Sequence, residues 1–352
     1  MKLIADTAPD AGLEQYPSGN ELGDIPGGRI LGNFGKGTSE MSSEKKIVVA
    51  IPCYNEEFTI AKVVSDFKKE LPWAEIVVLD NRSTDNSADR AREAGATVVF
   101  VPKQGKGAVV RHIFREIDAD IYVMVDGDDA CPAEASHDLI RPIADGVADM
   151  SMGDRLTGGD YYRENKRRFH GFGNELVRTL VNVCFKAEVN DVMCGYRAFS
   201  KRFAVNIPIL SDGFEVETEM TIRCLDRKLP FVEVPIAFRD RPKGSVSKLN
   251  TFRDGFRILL LIFSILKDYH PLAFFSALAS VALLAGLLCG APTVSDFIRL
   301  GYTPRVPLAV LASALVLVAS IFFICAFILD TMVSHERQRN ELNLLWFKER
   351  KR

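Results

Sequence analysis

The chain has 352 residues, with Lys+Arg 44 balanced by Asp+Glu 46 and a formal net charge of -2, so its charge does not suggest a nucleic-acid partner. Its seven cysteines are odd in number, none pairs at C-x-x-C spacing, and two lie in apolar runs, which argues against a disulfide framework or a zinc site and for free thiols in a reducing compartment. The near-neutral average conceals an asymmetry: residues 1–270 are mixed and charged, two long apolar runs follow His270, and a basic segment follows Ser334.

Residues 1–44 are rich in Gly, Asp, Glu, Pro and Ser and read as a mobile N-terminal extension. No basic stretch followed by an apolar core opens them, so no signal peptide is expected. From Lys45 the pattern changes. Short β-branched runs at Ile47–Ile51, Ile76–Leu79, Thr97–Val101 and Ile121–Val125 alternate with segments of helical period at 57–71, 85–94, 105–117 and 133–145. Strands this continuously apolar are buried on both faces, which predicts an α/β domain with a mainly parallel sheet flanked by helices. Further strands are expected at Asp149–Gly153 and Phe231–Ile236, with a basic helix over 164–185 between them. This α/β domain is thus placed at 45–249.

Residues 250–269 mix apolar and basic side chains and predict an amphipathic helix on a membrane surface. Leu272–Gly290 and Leu308–Leu329 contain no charged residue. At about 1.5 Å per residue, each can cross a hydrocarbon layer about 30 Å thick. The alternative is a pair of buried core helices. The connecting stretch, residues 291–307, holds two Arg and one Asp, whereas 334–352 carries Arg337, Arg339, Lys348, Arg350, Lys351 and Arg352. The positive-inside rule then puts this basic tail in the cytoplasm, and two spans put the large N-terminal domain there as well.

Ligands in open α/β sheets bind beyond the carboxyl ends of strands, and polar residues gather there. Asn55-Glu56 follows the first strand, Asp80-Asn81 the second and Asp126-Gly127-Asp128 the fourth. Three carboxylates within Asp126–Asp129 repel one another unless a cation compensates them, so this segment is either a solvated acidic turn or a site for Mg²⁺ or Mn²⁺ that also holds a diphosphate. Asp80 is suited to a base or ribose, and Asp85 to capping the next helix. Gln104-Gly105-Lys106-Gly107 offers backbone N–H groups and one cation to phosphate, or is merely a glycine turn. Arg155, Arg163, Arg167, Arg168 and Arg197 make the 150–200 region basic. Arg239, Arg241, Lys243 and Lys248 precede the membrane-facing helix, where they could meet anionic headgroups or a lipid phosphate.

In order along the chain, these residues resemble family 2 glycosyltransferases of GT-A (Rossmann-like) fold, and within them the polyprenyl-phosphate glycosyltransferases of the dolichyl-phosphate mannose synthase and GtrB-like group. The matching stretches are Ile51–Glu56, Asp80–Asp85, Gly105–Gly107, Val125–Asp128, Met152–Arg155, Asp191–Arg197, Gly213–Glu217 and Arg241–Lys248. The resemblance implies a nucleotide-diphosphate sugar around Pro52, Tyr54, Asn55, Glu56, Asp80, Asn81, Lys106, Asp126, Gly127 and Asp128. It implies Mg²⁺ or Mn²⁺ on Asp126 and Asp128, and a polyprenyl phosphate near Arg155, Arg241 and Lys248. Asp126, Asp128, Arg155 and Glu217 are the expected catalytic set. Relatives often carry Gln two residues after the second Asp, where this chain has Ala130, so Asp129 or water would complete the metal shell.

A phosphate monoester is already largely ionised at neutral pH, so no general base is required, and Glu215 and Glu217 are the candidates if one acts. The implied reaction is inverting transfer from a UDP- or GDP-sugar to polyprenyl phosphate. The expected location is the cell membrane, with membrane lipids as partners and interhelical surface for a homo-oligomer. The rival readings are a polysaccharide synthase with a hydroxyl acceptor and a non-catalytic membrane scaffold.

Overall fold

The computed structural model describes residues 45–157, 168–213, 215–239, 260 and 263–350, the side chains of 168–173 and 344–350 excepted. The N-terminal extension, Arg163, Arg167, Arg241, Lys248 and most of the expected interface helix at 250–269 lie outside the described residues; residues 263–269 are helical.

Among the described residues, seven strands form one sheet in the order β3-β2-β1-β4-β6-β5-β7. They are β1 Ile47–Cys53, β2 Glu75–Asp80, β3 Thr97–Phe100, β4 Ile121–Met124, β5 Met150–Asp154, β6 Arg197–Ser200 and β7 Phe231–Pro235. Adjacent strands β1, β2, β3 and β4 are parallel, as are β5 and β7, while β6 runs against both β4 and β5. The helices of the domain are α1 Ile60–Glu70, α2 Ser87–Glu93, α3 Lys106–Glu116, α4 Ser136–Ala144, α5 Arg168–Phe185, α6 Lys201–Asn206 and α7 Val216–Asp226.

The period-two alternation of each strand divides the core into two layers. Val48, Ala50, Val77 and Leu79 face one side, where they meet Val109 and Ile113 of α3, Val181 of α5 and Met220 of α7. Ile47, Val49, Ile51 and Val78 face the other, against Val63 and Phe67 of α1 and Leu139 and Ile143 of α4. Both faces of the sheet are therefore covered at its centre, which is why β1 and β4 are apolar without interruption.

Two long helices follow, α8 Pro271–Leu300 and α9 Val306–Arg350. Each is long and apolar enough to cross a membrane, with mean hydropathy 2.3 and 2.8 over its most apolar window. Most of their large apolar side chains point outward; Val281, Leu288 and Leu317 are each more than half exposed. Such surface is unfavourable in water and suits hydrocarbon. The connection expected at 291–307 is shorter, because α8 continues through Pro292 to Leu300. Residues from 334 onward, expected as a tail, continue α9 without a break.

The two helices meet through small residues at seven-residue spacing. Ala279, Gly286 and Thr293 of α8 are buried, as are Ala312, Ala319 and Ala326 of α9. A Cβ on Gly286 would lie 3.1 Å from Val316 Cγ2 and 3.3 Å from the Ala312 carbonyl oxygen, so glycine permits this approach. Replacing Gly286 with Leu should lower the unfolding midpoint of detergent-solubilised protein by several degrees, whereas Leu288→Ala, at an exposed position, should not. Equal midpoints for the two variants would contradict this helix packing.

Candidate functional site

The ends of β1 and β2 are laced together by side chains. Asn55 adopts a positive φ of 53°, and its Oδ1 accepts from the Thr84 N–H at 2.7 Å, while its own N–H donates to Ser83 Oγ at 3.0 Å. The Glu56 N–H donates to Ser87 Oγ at 2.7 Å, and Asp85 receives the Ser87 N–H at 3.0 Å. The buried Asp80 carboxylate accepts from the Ser83 N–H at 3.1 Å. Asn81 sends its amide N–H groups to the carbonyls of Val101 and Lys103, at 3.1 and 2.7 Å, and accepts from the Gly105 N–H at 2.7 Å. It thereby holds the loop from β3 to α3, with Gly105 at φ 122° as the turn that starts the helix. Pro52 is half-buried at the end of β1, and Tyr54 is partly exposed beside it.

That loop delivers Lys106 to the centre of the site. Its ammonium is buried between Asp126 Oδ1 at 2.5 Å and Glu217 Oε1 at 2.6 Å. Burial alone would lower its pKa, but Asp126 and Glu217 outweigh it and raise the pKa above the ordinary 10.5. Glu217, in the first turn of α7, is itself buried, and its Oε2 has no hydrogen-bond partner among the described residues. Gly195 packs against this trio: a Cβ there would lie 2.6 Å from Asp126 Oδ2 and 2.8 Å from Lys106 Nζ.

The acidic turn after β4 separates its carboxylates by role. Asp126 is 40% exposed, whereas Asp128 is buried and accepts the Ala130 N–H at 3.2 Å. Thr59 at the start of α1 donates to the Gly127 carbonyl at 2.6 Å, fixing the turn. Asp129, at φ 60°, is drawn to Lys62 of α1 at 2.8 Å. Among the described residues no group of three His, Cys, Asp or Glu side chains converges as a metal cage. Two adjacent carboxylates nevertheless fit Mg²⁺ or Mn²⁺, hard cations often held by one or two carboxylates with substrate phosphates and water completing the shell.

The other half of the site is a buried polar network at the ends of β5 and β7. Arg155 donates in bidentate fashion to the fully buried Asp191, at 2.7 and 3.0 Å, and lies 5.9 Å from the centre of the Phe238 ring. Despite burial, Asp191 raises the Arg155 pKa well above that of free arginine. Glu233 accepts the N–H groups of Asn190 and Asp191 at 2.9 and 3.0 Å. Burial pushes the Asp154 carboxyl up, but hydrogen bonds from Thr157, Asn190 and the Leu156 N–H bring it below the usual value. Arg197 is fully buried and donates to the carbonyls of Cys194 and Val192 and to Thr221 Oγ1, which ties the loop before β6 to α7. Burial pushes the Cys53 thiol up to about 12 and Cys194 to about 11, which leaves no cysteine nucleophile at these two positions.

The structure therefore brings Lys106, Asp126 and Glu217 together, with Asp128 buried two residues further along the same turn. Arg155 is in the neighbouring network, while Arg241 and Lys248 lie outside the described residues. Sequence reasoning had assigned no role to Gly195 or Asp191. The signal was present in the short Asp191–Arg197 motif, but no spacing rule shows that its glycine faces a carboxylate.

Residues 48–206 match the family model described as Glycosyl transferase family 2. Glycosyltransferase AglJ of Haloferax volcanii is 32% identical over 248 residues, which cover 70% of this chain and 80% of that protein. A dolichyl-phosphate hexose transferase of the same organism is 31% identical over 210 residues, 59% of this chain and 89% of its own. Among solved structures, glucosyl-3-phosphoglycerate synthase from Mycobacterium tuberculosis, in complex with Mn²⁺, uridine-diphosphate-glucose and phosphoglyceric acid, superposes with TM-score 0.51 at 25% identity, covering 64% of this chain and 80% of that one.

Replacing Lys106 with Met leaves Glu217 buried without its cation and should cost about 3–5 kcal/mol of stability. Adding Glu217→Gln should recover part of the loss. Because the folded-state pKa of Lys106 is raised, its contribution is complete below the ordinary lysine pKa and disappears only at higher pH. The gap from wild type should thus be the same at about pH 7.5 and about pH 9. Thermal denaturation of the three proteins measures both effects; a harmless Lys106→Met would remove the clamp from the account.

Proposed function

The chain belongs to glycosyl transferase family 2, and on that premise we propose that it transfers a sugar, with inversion, from a UDP- or GDP-sugar to a polyprenyl phosphate at the cytoplasmic face of a membrane. The observation that carries this reading is the position of Asp126 and Asp128 just beyond the end of β4 in a domain followed by two helices of bilayer length. The named activity of the Haloferax dolichyl-phosphate hexose transferase supports the lipid acceptor, and the ligands of the mycobacterial synthase support a nucleotide-sugar donor with a divalent metal.

In this reading the nucleotide lies over the ends of β1 and β2, against Pro52, Tyr54, Asn55, Glu56 and Asp80. Asn81 shapes the loop that presents Lys106. Asp126 and Asp128 hold Mg²⁺ or Mn²⁺, which when bound acts as a Lewis acid on the departing diphosphate. Lys106, held between Asp126 and Glu217, keeps the Asp126 carboxylate oriented and adds positive charge beside the leaving group.

The acceptor's phosphate oxygen forms the new bond to the anomeric carbon as the bond from that carbon to the diphosphate breaks. Both electrons leave with the nucleoside diphosphate. No proton has to move, so the residues' task is alignment and charge compensation. Arg155, fixed in plane by Asp191, together with Arg241 and Lys248, would receive the acceptor phosphate. A polyprenyl chain stays in the bilayer, so the site must be held at its surface. The contact of α9 with the domain serves that purpose: Arg337 donates to Asp226 at 3.0 Å, and Arg227 donates to Asn340 at 2.9 Å. It also supports placing the end of α9 on the same side of the membrane as the domain.

The test offers the purified chain a panel of radiolabelled UDP- and GDP-sugars with polyprenyl phosphate and Mn²⁺ or Mg²⁺. One donor should yield a chloroform-soluble sugar-lipid. Asp126→Asn and Asp128→Asn should each lower that rate by at least about 100-fold while remaining folded. Undiminished turnover in both would sink the metal assignment, and a water-soluble product alone would sink the lipid acceptor.

A further inference from the structure

A second polar cavity lies away from the strand ends, where α9 crosses the domain. It is a cleft of about 550 Å³ between the last turns of α3, the segment after α6 and residues 336–343 of α9. Arg115, in the last turn of α3, stands about 13 Å along the helix from Lys106 at its start. Arg111, the lining residue nearest Lys106 along α3, is about 7.5 Å from it, and none of Lys106, Asp126 and Glu217 lines the cleft.

Four guanidinium groups line it, from Arg111, Arg115, Arg227 and Arg339, and Glu336 is the single carboxylate among its lining residues. Arg111 is committed to the Leu210 and Ser211 carbonyls, at 3.0 and 2.8 Å, and to Asp212. Arg227 is anchored by Asn340 and the Asn206 carbonyl, and burial and the nearby Arg223 lower its pKa. Arg339 pairs with Glu336. Arg115 is exposed and has no ion-pair partner among the described residues. Asp212 and Glu336 compensate Arg111 and Arg339, and the remaining positive charge of Arg115 and Arg227 favours an anion in the cleft.

The height of the cleft identifies the source of that anion. Arg337 donates to the Tyr269 carbonyl at 3.4 Å, two residues before α8 begins at Pro271. This contact marks the level at which both long helices leave the apolar zone, and the cleft opens within two turns of it. Its rim carries the apolar side chain of Val205, 59% exposed, and beyond Ile209 that of Leu210, 69% exposed. Guanidinium groups suit a phosphodiester, and an apolar rim suits the acyl chains attached to it. We propose that this cleft binds the headgroup of an anionic phospholipid from the bilayer that α8 and α9 enter, and so fixes the catalytic domain against the membrane surface. The inference rests on the membrane placement of those helices and does not require the transfer reaction.

The full chain in non-ionic detergent is titrated with phosphatidylglycerol or phosphatidylcholine, and retained lipid is counted by native mass spectrometry. Wild type should prefer phosphatidylglycerol by roughly tenfold, since each basic side chain near a membrane surface contributes a severalfold attraction. The double variant Arg115→Glu, Arg339→Glu should lose that preference, while Arg90→Glu, on the exposed face of α2, should keep it. Should the double variant unfold, Arg115→Gln alone must still weaken retention by about threefold. Retention equal to wild type in the folded variant overturns the site. Displacement of the lipid by excess soluble glycerol phosphate overturns the lipid source and makes this a free-phosphate site. No nucleotide sugar is present, so either failure leaves the transfer reading to its own assay.

Discussion

A single buried ammonium ties together the elements around the candidate site. Lys106 joins the end of β4, through Asp126, to the first turn of α7, through Glu217, while the helix it begins is packed on the sheet. Removing one cation would leave a buried carboxylate uncompensated, which costs more than the pair gains by forming. The site is therefore self-consistent only when all three charges are present. The same arrangement explains why residue 195 is glycine: the chain after Asp191 passes so close to the Asp126 carboxylate that a methyl group would displace it.

Around this clamp the polar groups divide into those that shape and those that can act. Asn81 and Glu233 bond to backbone groups, while Arg197 and Asp154 bond to backbone and to Thr221, Thr157 and Asn190, fixing loops at the strand ends. Asp126 remains substantially exposed, and Asp128 lies two residues away in the same turn. Asp129, which sequence left open as a metal ligand, has a left-handed backbone and pairs with Lys62 at 2.8 Å. The protein thus offers two carboxylates in this turn, a partial shell that suits a cation arriving with diphosphate.

Much of this was legible in the sequence, for identifiable reasons. β1, β2, β3 and β4 fall within about two residues of their expected bounds, because the buried strands β1, β2 and β4 are apolar on both faces and the edge strand β3 keeps a short β-branched run. β6 was missed: it is four residues long, begins with Arg197, and is inserted antiparallel, a reversal that no local period announces. α7 was missed because its start, Val216-Glu217-Thr218-Glu219, looks like an exposed polar segment, yet Val216, Glu217 and Thr218 are buried. The Lys106–Glu217 contact joins distant parts of the chain, so only the fold could bring it out. Beyond Gly290, proline and charge suggested a long link, but the helix ladder runs on through Pro292.

The most direct test of the central claim is a titration of Mn²⁺ into the full chain with nucleoside diphosphate present, followed by electron paramagnetic resonance. The account predicts one tightly held Mn²⁺ per chain in wild type and its loss in both Asp126→Asn and Asp128→Asn, with folding retained. The same stoichiometry and affinity in wild type and both variants would contradict it and place the metal, and with it the diphosphate, elsewhere.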